Sequence, residues 1–211
     1  MAPPIAVLGG TFDPPHVGPL VLGECVAEQF GCERVIFVPA GDPYRKTGTD
    51  TPENRRASIR PRTVTPGALR LEMVALAIAG NTRFETDGRE VRRTGHSYTV
   101  DTLHEMRAEG HDEIGLILGS DAVADLPNWR DPAGIARLSR IVVAEKQQGA
   151  DTGGFERVDL PFLAVSSTLI RDRVARGQSI RYLVPGAVER FVREKALYRS
   201  LLRGDNAPAR V

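Results

Sequence analysis

The sequence predicts an α/β fold: a Rossmann-like, doubly wound parallel sheet with helices on both faces and further helices at the C-terminal end. Three observations predict it. Short continuous apolar runs recur along the chain, as buried parallel strands do. Longer stretches with apolar residues at helical spacing alternate with them. The first apolar run stops at Gly9-Gly10, where such sheets take ligands.

The elements follow in order. Ile5-Ala6-Val7-Leu8 reads as a buried strand. Leu20, Leu22, Val26, Ala27 and Phe30 mark a helix over 17–30, with Gly31 placed to end it. Val35-Ile36-Phe37-Val38 centres a second strand over 34–39, completing a βαβ unit. A helix is expected over 69–79, a short strand at 84–86 and a helix over 99–109. Strands are expected at 114–118, 141–144 and 160–165. Two helices then close the pattern, over 168–176 and 185–195. One domain over 1–203 is expected, with a polar insertion at 43–67 and a frayed tail at 204–211.

Composition bounds the function. At 211 residues, 41% apolar and 26% charged, the chain has the profile of a soluble globular domain. A net charge of +1 announces neither nucleic acid nor membrane as partner. No apolar run reaches the length of a membrane span, and no signal peptide is visible. Cys25 and Cys32 make neither a disulfide framework nor a metal-type spacing. The expected location is the cytoplasm. The sequence leaves a homo-oligomer open.

The chemistry concentrates after the first strand, in Gly9-Gly10-Thr11-Phe12-Asp13-Pro14-Pro15-His16-Val17-Gly18. Glycines at a strand end admit a phosphate close to the backbone. The following helix start offers free N–H groups and a positive dipole end. His16 stands at that start. The pattern is neither the Walker loop nor the dinucleotide fingerprint. A second phosphate-type constellation is Ser167-Thr168 before an apolar-periodic run, a capping signature, with Arg171 one turn on.

The string from Gly9 to His16 resembles the adenylyltransferase superfamily signature Gly-Gly-Thr-Phe-Asp-Pro-x-His-x-Gly-His, and within it the bacterial nicotinate-nucleotide adenylyltransferases. Further matches run along the chain: Val38-Pro39 through Lys46, Ser97-Tyr98-Thr99, Gly119-Ser120-Asp121 with Trp129, Ser166-Ser167-Thr168-Leu169-Ile170-Arg171, Tyr182-Leu183-Val184-Pro185 and Leu197-Tyr198.

The resemblance implies adenylyl transfer from Mg-ATP to nicotinate mononucleotide, giving nicotinate adenine dinucleotide and pyrophosphate in NAD synthesis. It implies that Mg²⁺ is held by ATP phosphates and water, with no protein metal site. It assigns ATP to Gly9, Gly10, Thr11, Phe12, His16, Gly119, Asp121, Ser167, Thr168 and Arg171. It assigns the mononucleotide to Lys46, Tyr98, Thr99 and Trp129. His16, Lys46 and Arg171 are the implied catalytic groups. His96, His104 and His111 lie in polar surroundings and are expected to be solvated.

Three positions depart from that pattern. The second histidine of the signature is Pro19. Tyr44-Arg45 replaces Pro-His before Lys46. Glu145-Lys146-Gln147 stands where the family often has Arg-Pro-Gly. Other readings are an adenylyltransferase for nicotinamide mononucleotide or phosphopantetheine, and a nucleotide-binding protein without turnover because of Pro19. A nucleic-acid module rests only on Arg55, Arg56, Arg60 and Arg62, with no aromatic residue between them to stack a base.

Overall fold

The computed structural model describes residues 4–43, 63–145, 152–161 and 163–199. Six parallel strands form one sheet in the order β3-β2-β1-β4-β5-β6: β1 Ile5–Gly10, β2 Arg34–Pro39, β3 Phe84–Thr86, β4 Ile114–Gly119, β5 Arg140–Ala144 and β6 Glu156–Val158. Reversal of strand order about β1 makes this a doubly wound sheet of the Rossmann kind.

Side chains alternate across the strands, and helices cover both faces. Ile5, Val7, Ile36, Val38, Leu116 and Val143 pack with Val100, Leu103 and Met106 of α4 (Thr99–Ala108), Val123 of α5 (Ser120–Asp125) and Ile135 of α6 (Pro132–Leu138). On the other face Ala6, Leu8, Val35, Phe37 and Val142 meet Val26 and Ala27 of α1 (Val17–Phe30) and Val74 and Ile78 of α2 (Gly67–Ile78). A third cluster joins Met73 of α2 to Ile170 of α7 (Ser167–Ala175) and to Val188, Phe191 and Val192 of α8 (Gly186–Glu194). Through it the C-terminal helices dock beside the sheet. Among the described residues no helix is long and apolar enough to cross a membrane.

No strand forms among the described residues of 160–165, where one is expected. Among the described residues the last strand is β6, paired through Val142↔Glu156 and Ala144↔Val158. Pro161 has no N–H for a ladder. At a sheet edge the polar Glu156-Arg157 is tolerated, and Arg140 Nη2 lies 2.6 Å from Glu156 Oε2. Apolar content therefore pointed to the wrong segment. Three short helices were not anticipated: α3 (Arg89–Arg92), α5 and α6. Of these α6 has a sequence signature, because Pro132 opens it and Asp131 caps it through Gly134 N at 2.8 Å. The tail 204–211 and most of 43–67 lie outside the described residues.

Candidate active site

The sheet opens where the strand order reverses. β1 pairs β4 only from Ile5↔Ile114 to Val7↔Leu116. Beyond that, β1 follows β2 to Gly10↔Pro39 and β4 follows β5 to Gly119↔Ala144. The carboxyl ends of β1 and β4 thus part at the topological switch point, where ligands enter open α/β sheets.

The two glycines of the first turn do different work. A side chain at Gly9 would meet nothing within 4 Å, so its backbone faces open space. A Cβ at Gly10 would stand 2.9 Å from Phe12 Cζ. That ring is 7% exposed and lies 6.0 Å from the Phe37 ring. Gly10 is therefore required by packing under the turn, and Phe12 can offer a nucleotide only its backbone.

His16 caps α1. Its backbone is extended (φ −133°, ψ 176°), and Nδ1 accepts from Gly18 N at 3.2 Å. With Nδ1 an acceptor, the neutral ring carries its proton on Nε2 as a donor. Gly18 makes this possible, since a Cβ there would lie 2.9 Å from His16 Cε1. Pro19 sits in the first turn of α1, where a missing N–H leaves no helix bond unmade.

The start of α7 clamps onto the same loop. Its cap is Ser166, which accepts from Leu169 N at 3.1 Å; the Ser167-Thr168 cap expected from sequence is displaced by one residue. Ser167 is thereby freed to donate to the Pro14 carbonyl at 2.8 Å. Arg171 Nη1 donates to the Asp13 carbonyl at 2.7 Å and Nη2 to Thr168 Oγ1 at 3.0 Å. Underneath, the Asp13 carboxylate is 1% exposed and accepts from Tyr198 Oη at 2.9 Å. Burial, and then the Asp13 charge, push the Tyr198 phenol well above its ordinary value.

Across the opening lie the other expected residues. Gly119 ends β4 and caps α5, and Asp121 stands in the first turn of that helix. Tyr98 and Thr99 begin α4. Tyr98 and Trp129 are half-buried against one core cluster. The Trp129 indole donates to Asp125 Oδ2 at 3.1 Å, and Asn128 Nδ2 donates to Asp125 Oδ1 at 3.1 Å. The Arg130 guanidinium lies 4.7 Å from the Tyr98 ring centre.

One further expectation changes, and one departure from the family pattern gains a partner. His96 is not merely solvated: its Nδ1 lies 2.8 Å from Asp42 Oδ2, and its ring meets Tyr98 edge-on at 6.2 Å. Glu145, where the family often has arginine, has its charge balanced within the protein. Its side chain is 11% exposed and pairs with Arg157 at 3.1 Å. Tyr44, Arg45, Lys46 and Lys146 lie outside the described residues.

Sequence reasoning missed Arg70 and Asp125, and it quoted Asp13 and Gly18 in the first-turn string without giving either a role. Arg70 is 1% exposed and donates to the Thr11 carbonyl. A signal for it existed: Arg70 precedes the buried Met73 and Val74 by three and four residues, which places it on their helix face.

The cytidylyltransferase-like family profile matches residues 7–173. A probable nicotinate-nucleotide adenylyltransferase from Desulfitobacterium hafniense (strain DSM 10664 / DCB-2) is 38% identical, over 94% of this chain and 98% of its own. Another from Synechococcus sp. (strain JA-3-3Ab) is 39% identical, over 94% and 99%. Among solved structures, Plasmodium falciparum nicotinic acid mononucleotide adenylyltransferase complexed with NaAD shares the fold at a TM-score of 0.72, with 14% identity over 92% of this chain and 96% of that one. The chain belongs to the cytidylyltransferase-like family, on the branch formed by these nicotinate-nucleotide adenylyltransferases.

Proposed function

We propose that the chain transfers the adenylyl group of Mg-ATP to nicotinate mononucleotide, making nicotinate adenine dinucleotide and pyrophosphate for NAD synthesis. The observation that carries this reading is the meeting of two phosphate-type groups on one loop. His16 caps α1 just after that loop, and Arg171 reaches back to its Asp13 carbonyl at 2.7 Å.

In the reaction, an oxygen of the mononucleotide 5′-phosphate attacks the α-phosphorus of ATP. The bond from that phosphorus to the β-phosphate bridging oxygen breaks, and pyrophosphate leaves. No protein atom forms a bond to phosphorus, so catalysis is alignment and charge stabilisation. ATP phosphates lie over Gly9 and the start of α1, where N–H groups and the helix dipole favour them. His16 Nε2–H and the Arg171 guanidinium donate to the phosphate oxygens as charge shifts toward the leaving group. Ser167 and Thr168 support that side, with Gly10, Thr11 and the Phe12 backbone lining it. Asp121, following Gly119, accepts from a ribose hydroxyl. Trp129 stacks on the pyridine ring, with Tyr98 and Thr99 beside it. Lys46 is assigned to the mononucleotide phosphate on its sequence motif. Magnesium enters with ATP, as part of the substrate. The free cysteines Cys25 and Cys32 support assignment to a reducing cytoplasm.

The test is pyrophosphate release from Mg-ATP by the purified chain with nicotinate mononucleotide, with nicotinamide mononucleotide, and with neither. Release that requires nicotinate mononucleotide supports the reading. Faster release with the amide transfers the assignment to that acceptor, and ATP binding without release under any condition rejects an enzyme.

A further inference from the structure

We infer that Arg70 is a positioning residue that holds the ATP-side turn and the acceptor-side loop in one fixed arrangement. The inference rests on the proposed adenylyl transfer. Arg70 is the largest fully buried side chain among the described residues. Its guanidinium reaches three separate segments. Nη1 donates to the Thr11 carbonyl at 2.8 Å, on the turn after β1. Nη2 donates to the carbonyls of Ala40 at 2.6 Å and Gly41 at 3.1 Å, just after β2. Nε donates to the Thr65 carbonyl at 2.8 Å, just before α2. A backbone bond from Ala40 N to the Gly10 carbonyl at 2.8 Å closes the set.

The acceptor side connects directly to this set. A Cβ on Gly41 would lie 1.8 Å from the Glu90 carbonyl and 3.1 Å from Ser97 Oγ, so this stretch has no room to move inward. The next residue, Asp42, pairs with His96 at 2.8 Å, and His96 meets Tyr98. Thr11 and Tyr98, on the two substrate sides, are thus linked by a path through the Arg70 guanidinium, the Gly41–Asp42 backbone and His96.

A planar fork of five donors can serve acceptors in several fixed directions. A lysine ammonium keeps the charge but offers three donors from one point, and it cannot reproduce that fork. Burying the charge is tolerable because the guanidinium donates four hydrogen bonds to backbone carbonyls. Arg70 acts through Thr11 and Gly41, so its loss should misalign the attacking phosphate relative to the α-phosphorus. Misplacement by about 1 Å from a distant change can cost about 10²-fold in rate.

The experiment compares the wild-type chain with Arg70→Lys and Arg70→Met. Circular dichroism and Tm report folding, steady-state kinetics give kcat and each KM, and titration gives the dissociation constant of a non-hydrolysable ATP analogue. The expected result is a folded Arg70→Lys chain whose kcat falls about 100-fold, with analogue affinity down about tenfold. A lowered Tm with kcat and affinity unchanged in the folded fraction would overturn the inference and leave Arg70 as packing. Should Arg70→Met fail to fold, Arg70→Lys carries the comparison. A wild-type chain without turnover would reject the proposed reaction separately. The analogue titration then decides alone, with affinity unchanged in a folded variant counting against Arg70.

Discussion

Tyr198 Oη donates to Asp13 Oδ1 at 2.9 Å, tying the end of the described chain to the turn that follows β1. The Asp13 carboxylate is buried, so this donor cannot be replaced by bulk water without rearrangement. Tyr198→Phe should cost about 1–3 kcal/mol of stability, measured by denaturant unfolding. The pH dependence has a definite sign. Burial and the Asp13 charge raise the folded phenol's pKa above its unfolded value of about 10. Stability from this group is full below that unfolded value and declines as pH rises above it. The Phe variant should lose less stability than wild type between neutral and strongly alkaline pH, and parallel profiles would refute this.

Gly18 is expected to be as sensitive as the histidine it supports. The position is helical with ordinary backbone angles, so alanine should improve helix propensity slightly. Its Cβ would nevertheless stand 2.9 Å from His16 Cε1. Gly18→Ala should therefore leave Tm nearly unchanged, the gain in helix propensity offsetting the lost cap, while lowering kcat/KM for ATP about 100-fold, because the imidazole must swing off its cap. Unchanged kinetics would mean that the His16 position seen here does not matter to turnover.

Pro19→His restores the second histidine of the family signature in the first turn of α1. If that position donates to the phosphates only in the transition state, kcat should rise by up to about 10²-fold with little change in KM. Because proline costs nothing at a helix's first turn, Tm should hardly move. Equal kcat values would show that His16 and Arg171 suffice without a second imidazole.

Asp125 sets the orientation of Trp129 by accepting from its indole at 3.1 Å. Asp125→Ala removes that acceptor and leaves the ring free to turn. The expected outcome is a raised KM for nicotinate mononucleotide, about tenfold on the loss of one oriented contact, with KM for ATP unchanged. A larger rise for ATP than for the mononucleotide would assign Trp129 to the wrong substrate.

The elements that were readable in the sequence share a physical cause. α1, β2 and β3 have the bounds expected for them, because apolar runs and a C′ glycine mark their ends; Gly31 indeed takes the left-handed conformation at φ 64°. β6 escaped because an edge strand needs little apolar content, and Glu156 there is held by Arg140 instead. In the site, His16, Ser167 and Arg171 were legible as members of two helix starts, and the fold brings both starts to one loop. Arg70 and Asp13 were not legible as organisers. Arg70 donates to backbone carbonyls of three separate segments, and Asp13's carbonyl is likewise what Arg171 uses. A backbone acceptor looks the same at every position of a sequence, so only the folded arrangement reveals which ones converge.

Glu90 gives a prediction on stability rather than turnover. Its carboxyl lies in α3, buried, accepting from Thr102 Oγ1 at 2.7 Å. Burial raises its pKa above the ordinary carboxylate range, against the lowering effect of the Thr102 hydrogen bond and of Arg93. The folded chain therefore holds this proton more tightly than the unfolded chain, and ionisation destabilises the fold as pH rises through the raised value. Glu90→Gln keeps an acceptor for Thr102 and removes the charge. Relative to wild type, the variant should gain stability as pH is raised from about 4, near the unfolded carboxyl value, toward neutrality. Tm measured across that range checks it. A difference between the two chains that stays constant with pH would mean that Glu90 is already accommodated as a charge by Arg93 and Thr102.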